Sequence, residues 1–294
     1  AAYLDARSGK RKKRACFEFE KHLGRNLDYL AAALHGGTYK PRPYFKFEIT
    51  EPKPRTIHAP AFRDVVVQHA IYRVVYPIFD RIFVSTSFAC RKGYGTHKCS
   101  DYTQRALRAC SGDDYYLKLD IRRFFYRIDR DVLRKLISRK IKDRRIVAAM
   151  MLFAEMDTKL GIPIGNLLSQ LYALIYLNPL DHYIKRDLKV KWYARYVDDF
   201  VLIGLPRPKC IEFRGVISAF LADQLALELS RSTIQKIKKG INFVGYRTWR
   251  STRFIRKHSA YKFTRALKRG DVAATVSLLG HAKRTGSLRH MLDK

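Results

Sequence analysis

Apolar residues fall at helical spacing from Cys16 to Leu34 (Leu23, Leu27, Leu30, Leu34), and Gly36-Gly37 predicts where that helix stops. Phe45, Phe47 and Ile49 alternate with Lys46, Glu48 and Thr50, the pattern of a half-buried strand. Glu51-Pro52-Lys53-Pro54 predicts a turn, and Arg55 to His58 a return strand. A helix is expected from Arg63 to about Tyr76, ending near Pro77. Arg91-Lys92-Gly93-Tyr94-Gly95 reads as a basic glycine-containing loop, and Tyr115 to Leu119 as a short strand ending at Asp120. Leu133, Leu136, Ile137 and Ile141 share one helical face, and Gly161-Ile162-Pro163-Ile164-Gly165 breaks the chain. A long apolar helix follows, from Asn166 to about Tyr176 and on towards Leu188 past Pro179. Ile211 to Leu229 reads as another helix, Ile241 to Trp249 as strand, and the basic remainder as mostly helical. From Tyr115 onward the order is strand, helix, helix, hairpin, helix, strand. That order is similar to a split βαβ sheet with helices on one face, an α+β architecture.

The hairpin in that order carries the chemistry. Apolar and aromatic residues flank Tyr196-Val197-Asp198-Asp199 on both sides, so two β runs meeting there place two carboxylates at the tip. A solvated turn is the commoner reading of an Asp pair alone. Acids held against apolar surroundings need compensation, and a divalent cation is one form of it. In a split sheet the end of the Tyr115–Leu119 strand can lie beside the hairpin tip, bringing Asp120 to Asp198. Three acids from two strands can hold two Mg²⁺ about 3.5–4 Å apart, which suits in-line phosphoryl transfer. Adjacent strand residues point to opposite faces, so Asp120 and Asp198 are expected first as ligands and Asp199 second.

Composition supplies the partner. Lys and Arg number 59 against 26 Asp and Glu, a formal net charge of +33. Such self-repulsion points to a polyanion, and the basic run Lys10 to Arg14 suits phosphate contacts or a solvated tail. With 47% hydrophobic residues the chain is globular rather than disordered. The five cysteines form no Cys-x-x-Cys pair, which argues for free thiols in a reducing cytoplasm rather than a zinc site. The longest apolar run, Leu167 to Leu177, is too short to span a bilayer, so no membrane role is expected. The first residue is Ala1 rather than Met, which predicts a piece of a longer product.

Taken together the motifs resemble those of reverse transcriptases. Tyr196-Val197-Asp198-Asp199 is similar to their Tyr-x-Asp-Asp box, and Asp120 with Phe125 to their first palm motif. Gly161-Ile162-Pro163 through Asp181 resembles the third block, and Phe243-Val244-Gly245-Tyr246 the primer-gripping hairpin. Lys53-Pro54-Arg55 and Phe62 to Gln68 resemble the motifs that hold the incoming triphosphate. The similarity runs in register from about Lys10 to Trp249. It implies a right-hand polymerase of fingers, split-βαβ palm and small helical thumb, copying RNA into DNA with two Mg²⁺, or Mn²⁺ in their place. Residues 1–112 would be an N-terminal extension and fingers, 113–249 the palm with a helical insertion at about 130–157, and 250–294 the thumb. Asp120, Asp198 and Asp199 would be the catalytic metal ligands. Lys53, Arg55, Arg63, Phe125, Ile164 and Gln170 would surround the nucleotide, Phe125 as steric gate. Arg91, Lys92, Phe243, Gly245 and Tyr246 would contact template and primer. Template RNA, a DNA primer or cDNA and dNTPs are the partners implied.

One departure narrows the resemblance. The third block reads Pro163-Ile164-Gly165-Asn166-Leu167-Leu168-Ser169-Gln170 where reverse transcriptases commonly have Pro-Gln-Gly. This form, with Ser87 to His97 and Gly240 to Trp249, resembles the reverse transcriptases of diversity-generating retroelements, found in bacteria and phage. That group implies error-prone copying with a structured non-coding RNA and an accessory variability determinant. Replacing Gln by Ile removes a hydrogen-bonding side chain from the pocket, which should weaken base discrimination. An antiphage-defence reverse transcriptase acting in a ribonucleoprotein is the close alternative. A group II intron enzyme is less expected, given Ile164 and no visible maturase extension. The alternative from another class is a catalytically silent RNA-binding scaffold.

Overall fold

A computed structural model describes residues 1–50 and 54–293. Along the chain run α1 (Ala2–Arg7), α2 (Arg14–Glu20), α3 (Leu23–His35), β1 (Phe45–Ile49), β2 (Arg55–Ala59), α4 (Phe62–Asp80) and α5 (Thr96–Ala109). Then come β3 (Tyr115–Ile121), α6 (Phe124–Arg127), α7 (Arg130–Ser138), α8 (Arg144–Leu152) and α9 (Leu167–His182), which ends in a π turn over Tyr183–Asp187. β4 (Trp192–Tyr196), β5 (Asp199–Leu205), α10 (Arg207–Leu225), β6 (Leu229–Lys236), β7 (Ile241–Phe243), β8 (Tyr246–Thr248) and β9 (Arg253–Ile255) follow. α11 (Lys257–Lys268), α12 (Val272–Ala282) and α13 (Ser287–Leu292) complete the chain. No helix among the described residues is long and apolar enough to cross a membrane.

These elements form a mixed α/β fold in two compact units, each assembled from three stretches. The first takes residues 1–83, 123–179 and 222–227. Its hairpin β1-β2 pairs Phe45 with Ala59 through Ile49 with Arg55, and leaves Phe45 and Phe47 exposed. α4 packs against α1, α2 and α8 and buries Val66, Val67, Val75 and Phe79. The expected stop at Pro77 does not occur. Proline forfeits one backbone bond, but buried Val75 and Phe79 on either side hold the last turn, and α4 runs on to Asp80. α9 is apolar nearly all round and is accordingly buried from Leu168 to Leu177 apart from Gln170. Its first N–H groups, those of Leu167 and Leu168, donate to Oε1 of Gln68 at 3.0 and 3.4 Å.

The second unit takes residues 84–122, 180–221 and 228–294. Its core is an antiparallel sheet in the order β4-β5-β3-β6. The register pairs Asp120 with Asp199, Leu119 with Phe200 and Lys118 with Val201. One face therefore shows Tyr116, Lys118, Asp120, Asp199, Val201, Ile203 and Ala194. The apolar members of that face pack with Cys99, Ala106 and Leu107 of α5. On the opposite face Tyr193 and Arg195 receive Asp181 from the end of α9. The expectation of helices on a single face is thus corrected, because α5, whose inward residues are small or polar apart from Leu107, covers the other. A second correction concerns residues 225–236. α10 stops at Leu225, where Ala226 turns to φ +51°, and the chain then forms β6 along β3. A small three-stranded sheet, β7-β8-β9, carries the terminal helices.

Candidate active site

The β4-β5 hairpin has a two-residue turn, Val197-Asp198, between Tyr196 and Asp199. Val197 has φ +58°, a left-handed conformation that a β-branched residue adopts only under strain. Glycine is the residue that takes such a φ without steric cost. The turn carries Asp198, whose carbonyl accepts the Ile121 N–H at 3.3 Å, so the end of β3 is tied to the turn beside it. Asp120 and Asp199 are direct cross-strand partners, half-buried on the same face. The Ser230 hydroxyl, on β6, donates to the Asp120 carboxylate and to its carbonyl at 3.2 Å.

Asp199 sits deeper. Burial raises its pKa from the ordinary 3.8 to about 6, against the opposing pull of Lys118, with further upward pushes from Asp120 and Asp198. Lys118 Nζ lies 3.0 Å from Asp199 Oδ2, whereas Oδ1 is buried with no hydrogen-bond partner. That orphaned oxygen, among like charges, is the kind of group a cation satisfies. The residues present therefore fit a divalent ion. Among the described residues no three His, Cys, Asp or Glu side chains gather closely enough to hold a metal on their own; Asp120, Asp198 and Asp199 stay the ligands that the resemblance implies. In this arrangement Asp199 lies against Lys118 and Asp120 accepts from Ser230.

Beneath the hairpin lies a fully buried ion pair that the sequence reasoning missed. Arg195 Nε and Nη2 donate to Asp181 at 2.7 and 2.5 Å, the Tyr193 hydroxyl donates to the same carboxylate at 2.6 Å, and both charged side chains are 0% exposed. Burial opposes the Arg195 charge, but the Asp181 carboxylate more than offsets this and raises its pKa. Lys118 was also missed, although its place two residues before Asp120 on a strand puts both on one face.

Other predicted residues of this unit are found in structural settings. Arg91 Nη1 donates to the carbonyls of Val84 and Ser87, and its guanidinium lies 4.2 Å from the Tyr94 ring centroid. Lys92 is exposed beside it. Phe243 and Tyr246 are buried and anchor the β7-β8 hairpin. Its Gly245 has φ +91°, and a methyl group there would lie only 3.0 Å from the His281 ring.

In the first unit, Arg55 is exposed on β2 and Lys53 lies outside the described residues. Arg63 sits between Tyr29 and Tyr39, 5.5 and 5.4 Å from their ring centroids, and within 3.3 Å of the Asp64 carboxylate. Phe125 is half-buried on α6, 5.5 Å from Phe124, and its carbonyl accepts the Ile162 N–H. The Ile164 carbonyl accepts the His58 N–H at 2.7 Å, joining the third block to β2. Gly165, at φ +107°, could not carry a methyl group without pressing to 2.7 Å on Ile57. Asn166 is buried on Tyr44 and Phe153, while Gln170 is exposed.

Comparison with known proteins is consistent with this geometry. The family model described as "Reverse transcriptase (RNA-dependent DNA polymerase)" matches residues 46–248. Protein YkfC of Escherichia coli is 25% identical over 291 residues, covering 82% of this chain and 74% of YkfC. Group II intron-encoded protein LtrA of Lactococcus lactis is 29% identical over 172 residues, covering 54% of this chain but 28% of LtrA. A telomerase structure from Candida albicans superposes with a TM-score of 0.55 at 13% identity, over 82% of this chain and 55% of that one, a likeness of fold alone.

Proposed function

The chain belongs to the reverse transcriptase family, and on that premise we propose that it extends a primer 3′-OH with dNTPs on an RNA template at the carboxylate end of its four-stranded sheet. It is a nucleotidyltransferase of the reverse-transcriptase type, related to the group II intron enzymes. The observation that carries the site is the pairing of Asp120 with Asp199 across β3 and β5, next to the turn bearing Asp198. Asp120 and Asp198 would hold Mg²⁺, with the free Oδ1 of Asp199 behind them; when bound, the metal neutralises phosphate charge and lowers the pKa of the attacking hydroxyl. The chain's own part is positional. Ser230 orients Asp120, Lys118 holds Asp199, and the Ile121 N–H fixes the turn. Phe125 would act as steric gate under the sugar. Arg55 and Arg63, with Lys53, would clamp the triphosphate through charge-assisted hydrogen bonds.

Primer extension on an RNA template is the deciding assay. Asp198→Ala and Asp120→Ala are expected to lose at least about a hundredfold in rate, as for removal of groups that stabilise transferring charge. Equal incorporation by wild type and both variants would sink the assignment.

Within the family, Ile164-Gly165-Asn166-x-x-Ser169-Gln170 supports the diversity-generating reading, with a structured RNA and an accessory protein as partners. Fingers, palm and thumb would then span residues 1–112, 113–249 and 250–294. The intron-encoded relatives support a plain group II-type copying enzyme instead. The cDNA decides between them: errors concentrated opposite template adenine favour the first, a faithful copy the second.

A further inference from the structure

We propose that Arg195 is a positioning residue: it clamps the strained turn that carries Asp198, and Asp181 and Tyr193 exist to hold it in place. The inference rests on the polymerase reading above for the role of Asp198. Arg195 uses all of its guanidinium. Nε and Nη2 grip Asp181, and Nη1 donates 2.9 Å to the carbonyl of Val197, the residue at φ +58° immediately before Asp198. Its backbone is fixed as well. The Arg195 N–H donates to Thr86 at 3.0 Å and its carbonyl accepts from Phe88 at 2.9 Å, so β4 cannot slide.

Stability gives no reason for this arrangement. A buried ion pair is often matched or exceeded in stability by apolar residues of similar volume, because two charges lose their hydration. Apolar residues could fill the space, but they could not donate to the Val197 carbonyl. Without that bond, a valine in left-handed conformation has a nearby relaxed alternative, and relaxation would swing Asp198. The ion pair is retained where it fixes a direction. Only arginine fits, since its planar fork satisfies a carboxylate bidentately and still has a third donor to aim elsewhere. A lysine at this position has one ammonium and cannot span both acceptors.

The test separates positioning from folding. In Arg195→Met/Asp181→Leu/Tyr193→Phe, which also removes the hydroxyl that Asp181 accepts from, the apolar set should keep the melting temperature within a few degrees of wild type. Mn²⁺ affinity is read by electron paramagnetic resonance in the presence of a chain-terminated primer–template and dNTP, and the Mg²⁺ concentration for half-maximal extension is read separately. Both are expected to weaken about tenfold, the usual effect of losing a group that orients metal ligands. A folded triple variant that binds Mn²⁺ as wild type does would overturn the proposal. Should it fail to fold, Arg195→Lys decides on the same readouts. Here, adding Val197→Gly is expected to restore Mn²⁺ binding by removing the strain, and unweakened Mn²⁺ binding in Arg195→Lys would overturn the clamp. Wild-type protein that never extends a primer, while the variants still lose Mn²⁺ affinity, would count against the polymerase reading and leave the clamp standing.

Discussion

Between pH 4 and 6 the folded chain holds a proton on Asp199 that the unfolded chain has released, because burial raises this carboxyl from 3.8 to about 6. The sign follows from linkage. Where the native state binds more protons than the unfolded state, stability falls as pH rises. The contribution of Asp199 is therefore greatest below about pH 4 and is lost on passing pH 6. In metal-free buffer, Asp199→Asn should be the more stable protein at pH 7. The upper bound is about 3 kcal/mol for a shift of this size. Water screens part of it, because the carboxylate is 24% exposed, so a gain of about 1 kcal/mol is expected. Thermal melts from pH 4 to 8 check this; a variant less stable at pH 7 than at pH 4, relative to wild type, would contradict it. Ile164 offers a second residue-scale test. Its carbonyl, not its side chain, makes the bond to His58, so Ile164→Gln should fold normally. Under the proposed pocket role it should lower misincorporation opposite template adenine, and an unchanged error spectrum would remove Ile164 from the pocket.

Gln68 decides how α9 begins. It is 0% exposed, and its Oε1 is the acceptor for the first two N–H groups of that helix. Gln68→Ala should cost about 1–2 kcal/mol, since the Leu167 N–H loses its acceptor while the Leu168 N–H keeps Asn166 Oδ1 at 3.1 Å; chemical denaturation at constant slope measures it. Gln68 as a cap was not legible in the sequence, because it lies about a hundred residues from the helix it caps, unlike the adjacent Asn166. What was legible shares one property: periodicity or punctuation within a short window. β1 and β2, β3 up to Asp120, the Asp-Asp hairpin and the apolar α9 all show it. α5 did not, because Cys99, Ser100, Thr103 and Ala106 are small inward residues that do not read as a hydrophobic stripe. β6 did not either, since Ser230 to Ser232 and Thr233 are exposed at a sheet edge and owe their conformation to pairing with β3. The same edge hid Ser230 as the partner of Asp120. Arg195 and Asp181 stood in plain sight as residue types, but two buried charges are recognised only once burial is known.

For the whole molecule, the charge of +33 predicts steep salt dependence of RNA binding, with affinity falling by about 10³ or more between 50 and 200 mM salt if six or more phosphates are contacted. Filter binding at several salt concentrations measures the slope, and a flat line would mean that the charge serves another purpose. The order in which the chain is made adds a different constraint. The polypeptide passes from one compact unit to the other after Phe83, Arg122, Pro179, Leu221 and Leu227. Neither unit is a contiguous fragment, so no single proteolytic cut or cloning boundary isolates one of them intact. The first unit to begin emerging from the ribosome is not complete until Leu227 has been synthesised, and until then its early helices await partners encoded far downstream. A product halted before residue 222 should accordingly be a chaperone client rather than a folded half, whichever RNA the finished protein copies.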